Sequence, residues 1–210
     1  MHFVYWGKRS RGEQGHWHHL CHHGLDAAAV TQALLRKNPL WQARIQALSP
    51  YAPGPTKALL LFLAACHDLG KFADAFQFCL SPETIWTPAL QRSRPVCLPP
   101  TQHHTGLGLT IWAELCPQDF LPLPDAYTLE PLLTAALAHH GQPRPPLAAS
   151  QGARLEPRVK ADVQAYLQEV AALFALTPFP EVDDHALNRL SLVAAGLFIL
   201  ADWVASNAVG

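Results

Sequence analysis

The stretch that decides the fold is Leu59-Leu60-Leu61-Phe62-Leu63-Ala64-Ala65-Cys66-His67-Asp68-Leu69-Gly70-Lys71-Phe72. From Ala58 to Cys66 it carries no polar side chain. That run is far shorter than the ~20 apolar residues a membrane span needs, so it reads as a buried helix. Thr56 is placed to cap that helix, which is expected to run through the stretch and on toward Phe78. The polar residues then arrive together. On a helix, neighbours such as His67 and Asp68 project about 100° apart, so both can lean toward one site at the helix end. Lys71, four residues after His67, shares its face. Imidazole nitrogen beside carboxylate oxygen suits a borderline divalent cation such as Mn, Fe, Co, Ni or Zn. The two oxygens of Asp68 are able to bridge a pair of such ions.

Outward from this stretch, apolar residues recur at three- and four-residue spacing and predict an all-α chain. The expected helices are Ala27–Lys37, Pro39–Leu48, Thr105–Leu115, one around Glu130-Pro131 closed by Gly141, Pro157–Leu176 and Asp184–Asn207. Asp26 is placed to cap the first of them. Proline-rich connections lie between: 50–55, 94–100, 117–124 and 143–146. No alternating strand pattern or internal repeat is evident, and one domain over residues 1–210 accounts for the chain.

Histidine is over-represented. The 210 residues include 12, and eight of these form the adjacent pairs His18-His19, His22-His23, His103-His104 and His139-His140. Such an excess points to metal chemistry or a pH switch. His139-His140 follows the apolar stretch Leu132–Ala138. Protonated histidine would suit the negative end of a helix, but one residue would suffice for that. Asp202 sits within the apolar run Leu197–Val204, where an unpartnered carboxylate is costly, so it needs a cation or a metal. Ser206 lies one turn further on the same face. Within His22-His23 and His103-His104 the residues hardly separate the neighbours; His23 and His104 are preferred.

The formal net charge is −1, and only 15% of residues are charged against 50% apolar, so neither disorder nor a global basic field is indicated. Five cysteines at long spacings, with no C-x-x-C pair, read as reduced thiols filling the core of a cytoplasmic protein. The N-terminus lacks the apolar segment of a signal peptide. The basic residues of Lys8–Arg11, with Arg92, Arg94, Arg144 and Arg154, offer a path for a nucleic-acid strand. Trp6, Trp17 and Trp203 are candidates to stack on bases, against the alternative of core packing.

These residues resemble the HD superfamily of metal-dependent phosphohydrolases, and within it the HD nuclease domain of the CRISPR-associated type I helicase-nuclease. The resemblance is carried in order by Tyr5-Trp6-Gly7-Lys8, the Trp17–Val30 segment, His67-Asp68-x-x-Lys71, His103-His104, His139-His140-Gly141 and Asp202-Trp203-x-x-Ser206-Asn207. It implies an HD-domain helical bundle with a two-metal site. His23, His67, Asp68 and Asp202 would hold one divalent transition ion (Fe, Mn, Co or Ni). Asp68, His104, His139 and His140 would hold the other. Lys71 would contact the scissile phosphate and Ser206 the substrate. The implied activity is cleavage of DNA, single strands by preference. The implied partners are a helicase domain or subunit and a CRISPR RNA-guided surveillance complex, with no membrane. No GxxxxGK[ST] loop is present, so this chain is not itself expected to be the motor. The same ligands would also serve a phosphohydrolase acting on nucleotides or cyclic dinucleotides, a di-iron oxygen enzyme, or a docking domain without catalysis.

Overall fold

The structure, a computed structural model, describes residues 4–9, 17–78, 103–140 and 155–207. Among these, eight α-helices and one two-stranded sheet occur: β1 (Trp6–Arg9), β2 (Trp17–His19), α1 (Leu20–Lys37), α2 (Pro39–Leu48), α3 (Pro53–Ala65), α4 (Asp74–Gln77), α5 (His104–Leu115), α6 (Ala126–Leu137), α7 (Pro157–Leu173) and α8 (Asn188–Asn207). The all-α reading holds, and the small sheet is an addition to it.

α3 is the axis of the bundle. Leu59 through Ala65 are all buried, as is Cys66 beyond them. A helix apolar all round must be covered on every side, and α1, α6, α7 and α8 pack against it. Pro53 opens α3 at its first position, where a missing N–H costs nothing. Thr56 therefore does not cap α3. It lies one turn inside, and its hydroxyl is bound to the Tyr51 carbonyl and the Ser49 hydroxyl. Nor does the helix continue to Phe78. It stops at Ala65, and the chain turns through His67-Asp68 into a 3₁₀ turn, Leu69–Phe72, before α4.

Two glycines set how closely other helices approach this turn. A Cβ on Gly70 would stand 1.7 Å from the His104 carbonyl oxygen, so only glycine lets the start of α5 lie against the 3₁₀ turn. A Cβ on Gly24 would meet the Ala65 carbonyl and the Tyr166 hydroxyl, both at 2.4 Å. α1 thus runs through Gly24 from Leu20, seven residues before the expected start. Asp26 is accordingly no cap, and its carboxylate pairs with His18 Nε2 at 2.8 Å. α6 begins at Ala126, capped by Asp125, and Pro131 lies inside it; the proposed stop at Gly141 falls outside the described residues. α7 ends at Leu173 and α8 begins at Asn188, each shorter than expected by a few residues.

The two strands pair antiparallel with an irregularity between Trp6 and Lys8. Trp6 is buried and stacks on Phe76 at 4.5 Å, and its indole N–H donates to the Gln77 carbonyl. It is a packing residue, not a platform for bases. Cys21 and Cys66 are buried free thiols, whereas Cys116 is exposed in a left-handed turn. Cys79 and Cys97 lie outside the described residues, as do the proposed strand-path residues Arg11, Arg92, Arg94, Arg144 and Arg154. α8 is long and apolar enough to cross a membrane by length and composition. In this fold its inner face packs against α1 and α6 and carries a buried carboxylate.

Candidate metal centre

Asp68 is 2% exposed and lies at the centre of the site. Its Oδ2 is 2.6 Å from Lys71 Nζ, 3.2 Å from His23 Nε2 and 3.3 Å from His67 Nε2. Its Oδ1 is 3.4 Å from His104 Nε2 and 3.5 Å from His139 Nε2. Each oxygen therefore faces its own group of imidazoles. Asp202, one face of α8, closes the first group: its Oδ1 lies 3.1 Å from His23 Nε2 and 3.5 Å from His67 Nε2. His140 joins the second group through His104, with the two Nε2 atoms 3.0 Å apart.

The backbone orients two of these rings. His67 Nδ1–H donates to the Ala64 carbonyl at 2.8 Å and His139 Nδ1–H to the Ala136 carbonyl at 3.2 Å. Both residues follow a helix end, where carbonyls lack an intrahelical partner. Holding the proton at Nδ1 turns Nε2 inward as the ligating atom, the arrangement found behind metal-bound histidines. Tyr166 donates to the Ala65 carbonyl at 2.8 Å and braces the same turn.

Among the described residues, four overlapping groups are close enough to share a cation, their ligand atoms all within 4.8 Å: His23–His67–Asp68, His67–His139–Asp202, Asp68–His104–His139 and His103–His104–His140. His67 Nε2 and both Asp68 oxygens are buried without a hydrogen bond of sound geometry. Buried polar atoms in folded proteins are normally satisfied, so this convergence of orphaned lone pairs fits a transition ion.

The electrostatics divide along the same line. Burial pushes His67 down, but the Asp68 and Asp202 carboxylates outweigh it and raise its pKa to about 9. Burial raises Asp68, yet the Lys71 ammonium and His67 hold it well below the usual carboxylate range. Asp202 is likewise lowered against its burial, by its hydrogen bonds with His23 and His67. On the other side burial dominates, and His104 and His139 fall to about 3.

Lys71 is placed by the 3₁₀ turn rather than by a shared helix face with His67. Its Nζ also donates to the Gly7 carbonyl at 3.0 Å. Ser206 donates to Asp202 Oδ1 at 3.1 Å, so it supports the carboxylate. A cleft of about 380 Å³ opens here, lined by Lys8, Lys71, His139, His140, Asp202, Trp203, Ser206 and Asn207. Trp203 is 64% exposed on this cleft. A larger cavity of about 540 Å³ lies among Leu25, Lys57, Leu61 and Phe174, with none of these ligands on its walls.

His104, not His103, faces Asp68; the His103 ring instead accepts the Thr105 N–H as the cap of α5. His22 and His19 are exposed, and His18 is taken by Asp26. His185 accepts from Asn188. His2 and His16 lie outside the described residues. The supporting contacts from Gly7, Gln77 and Tyr166 left no signal in the sequence, because each spans more than 60 residues of chain.

The sequence profile described as "Cas3, HD domain" matches residues 6–209. The chain is 30% identical, over 96% of its length, to the CRISPR-associated endonuclease/helicase Cas3 of Escherichia coli (strain K12), and spans 25% of that protein. A crystal structure of a CRISPR-associated protein superposes with a TM-score of 0.80 at 26% identity, covering 99% of this chain and 23% of the other. The Thermus thermophilus Cas3 HD domain, solved in the presence of Ni²⁺, gives 0.61 at 25% identity, covering 97% and 76%.

Proposed function

The chain belongs to the Cas3 HD domain family, and from that premise we propose that it is a two-metal nuclease that hydrolyses DNA phosphodiesters, single strands by preference, in CRISPR interference. The observation that carries the reading is Asp68, whose two oxygens face separate imidazole groups at 3.2–3.5 Å. His23, His67, Asp68 and Asp202 would hold one ion; Asp68, His104, His139 and His140 would hold the other. When bound, the ions would supply activation of water and neutralisation of charge on the phosphate.

The chain's own residues do the rest. The Ala64 and Ala136 carbonyls fix the tautomers of His67 and His139. Ser206 steadies Asp202. Lys71 exchanges its contact with Asp68 for the scissile phosphate, adding positive charge where negative charge grows. Lys8, whose Nζ donates to the Ser206 carbonyl at 3.1 Å, and exposed Trp203 hold the strand in the cleft by charge and stacking. The positive charge that a chain of net charge −1 lacks would come with the bound metal. A helicase, on the same polypeptide or a separate one, and an RNA-guided surveillance complex deliver the strand.

The test is an anaerobic cleavage assay with Mn²⁺, Fe²⁺, Co²⁺ and Ni²⁺ in turn, using circular single-stranded DNA beside a panel of nucleotides and cyclic dinucleotides. Metal-dependent loss of the circle with the nucleotides intact is the expected result. Faster turnover of the nucleotides would overturn the assignment.

A further inference from the structure

The side chain of Gln77 joins two stretches of chain that both bear on Lys71. Gln77 ends α4 and is 1% exposed. Its Oε1 accepts the Trp6 N–H at 3.2 Å, and its Nε2 donates to the Trp6 carbonyl at 3.0 Å and to the Lys71 carbonyl at 2.6 Å. Two carbonyls and one N–H fix which end of the amide is the nitrogen. Toward Trp6 the amide behaves as a neighbouring strand would, exchanging both bonds with one residue. The Gln77 carbonyl also receives the Trp6 indole N–H at 3.2 Å. The next residue of β1, Gly7, offers the carbonyl that accepts Lys71 Nζ at 3.0 Å. One buried amide therefore grips the main chain at the root of Lys71 and the strand that receives its far end.

We infer that Gln77 is a positioning residue for Lys71: through β1 and the 3₁₀ turn it aims the ammonium at the scissile phosphate beside Asp68. The inference rests on the role given to Lys71 above. None of the three side-chain bonds goes to an imidazole or a carboxylate of the centre, so Gln77 acts through Lys71. A lysine ammonium rides on a flexible four-carbon stem, and a displacement of about 1 Å at a reacting group costs on the order of 100-fold in rate. Met matches the length of Gln77 without its donors or acceptor, and Asn keeps an amide on a shorter stem. Neither spans both stretches.

The experiment has two arms, both on the full chain. In the first, metal-free natural protein, Gln77→Met and Gln77→Asn are treated with an amine-acetylating reagent. Mass spectrometry reads the rate at Lys71, with exposed Lys37 and Lys57 as internal standards. Lys71 should react roughly tenfold faster in both variants, the scale of one lost buried hydrogen bond, with the standards unchanged. In the second arm, single-turnover cleavage of DNA and metal content are measured for each Gln77 variant, with and without Lys71→Ala. Each Gln77 variant should cut about 10–100-fold more slowly at full metal content, and add no further loss once Lys71 is Ala. Gln77→Asn carries both arms if the apolar variant does not fold. Unchanged labelling of Lys71, or an equal loss of cleavage with and without Lys71, would overturn the positioning role and leave the nuclease reading intact. Faster labelling of Lys71 with no DNA cleavage by the natural protein would overturn the nuclease reading and leave the placement of Lys71 by Gln77 standing.

Discussion

The two sides of Asp68 are built differently. On the His23 side two carboxylates face two imidazoles in a nearly sealed pocket, and His67 is driven up to about 9. On the His104 side one carboxylate oxygen faces imidazoles that burial has driven down to about 3, and the outermost, His140, is open to solvent. The first side demands a positive charge and surrounds it; the second offers neutral donors at an accessible edge. Charge density predicts a tighter ion on the His23 side and a more exchangeable one on the His104 side.

The largest expected effect comes from removing what the two sides share. Asp68→Ala should lower DNA cleavage by roughly 10³-fold or more, the scale of losing a principal charge-stabilising group, as read from single-turnover kinetics. Next, Asp202→Asn should weaken the tighter ion by about 100-fold, and His139→Ala the looser one by about tenfold. Calorimetric titration with Mn²⁺ would check whether the two variants affect different binding steps; loss of the same step in both would erase the distinction between sides. Smaller again, Gly70→Ala forces a Cβ against the His104 carbonyl. It should cost about 1–3 kcal/mol of stability and loosen the His104-side ion alone, as seen by thermal unfolding and metal titration together. Smallest, Asp125→Ala removes the cap that accepts from the Tyr127 and Thr128 amides at the start of α6. It should cost about 1 kcal/mol in urea unfolding and leave metal content unchanged, because His139 sits at the other end of that helix.

The same contrast marks what could be read from sequence. The His23 side was legible because its residues break apolar patterns: His67-Asp68 ends an unbroken hydrophobic helix, and Asp202 is a lone carboxylate inside another. The His104 side was less so. Periodicity does not separate His103 from His104, and only the capping bond to Thr105 and the approach allowed by Gly70 do. Helix interiors were visible, whereas the start of α1 was not. Gly24 reads locally as a breaker, but it is needed for contact with Ala65 and Tyr166, far along the chain. The strands β1 and β2, of four and three residues, are too short for alternation to show. Their anchor, Gln77, bonds to Trp6 and Lys71 across as many as 71 residues.

The most direct test of the centre is elemental analysis of anaerobically purified protein, natural and Asp68→Ala, after dialysis against a single transition metal. Two equivalents are expected in the natural chain and less than one in the variant, because Asp68 belongs to both proposed ligand sets, one oxygen facing each group of imidazoles. Two equivalents retained by Asp68→Ala would contradict it.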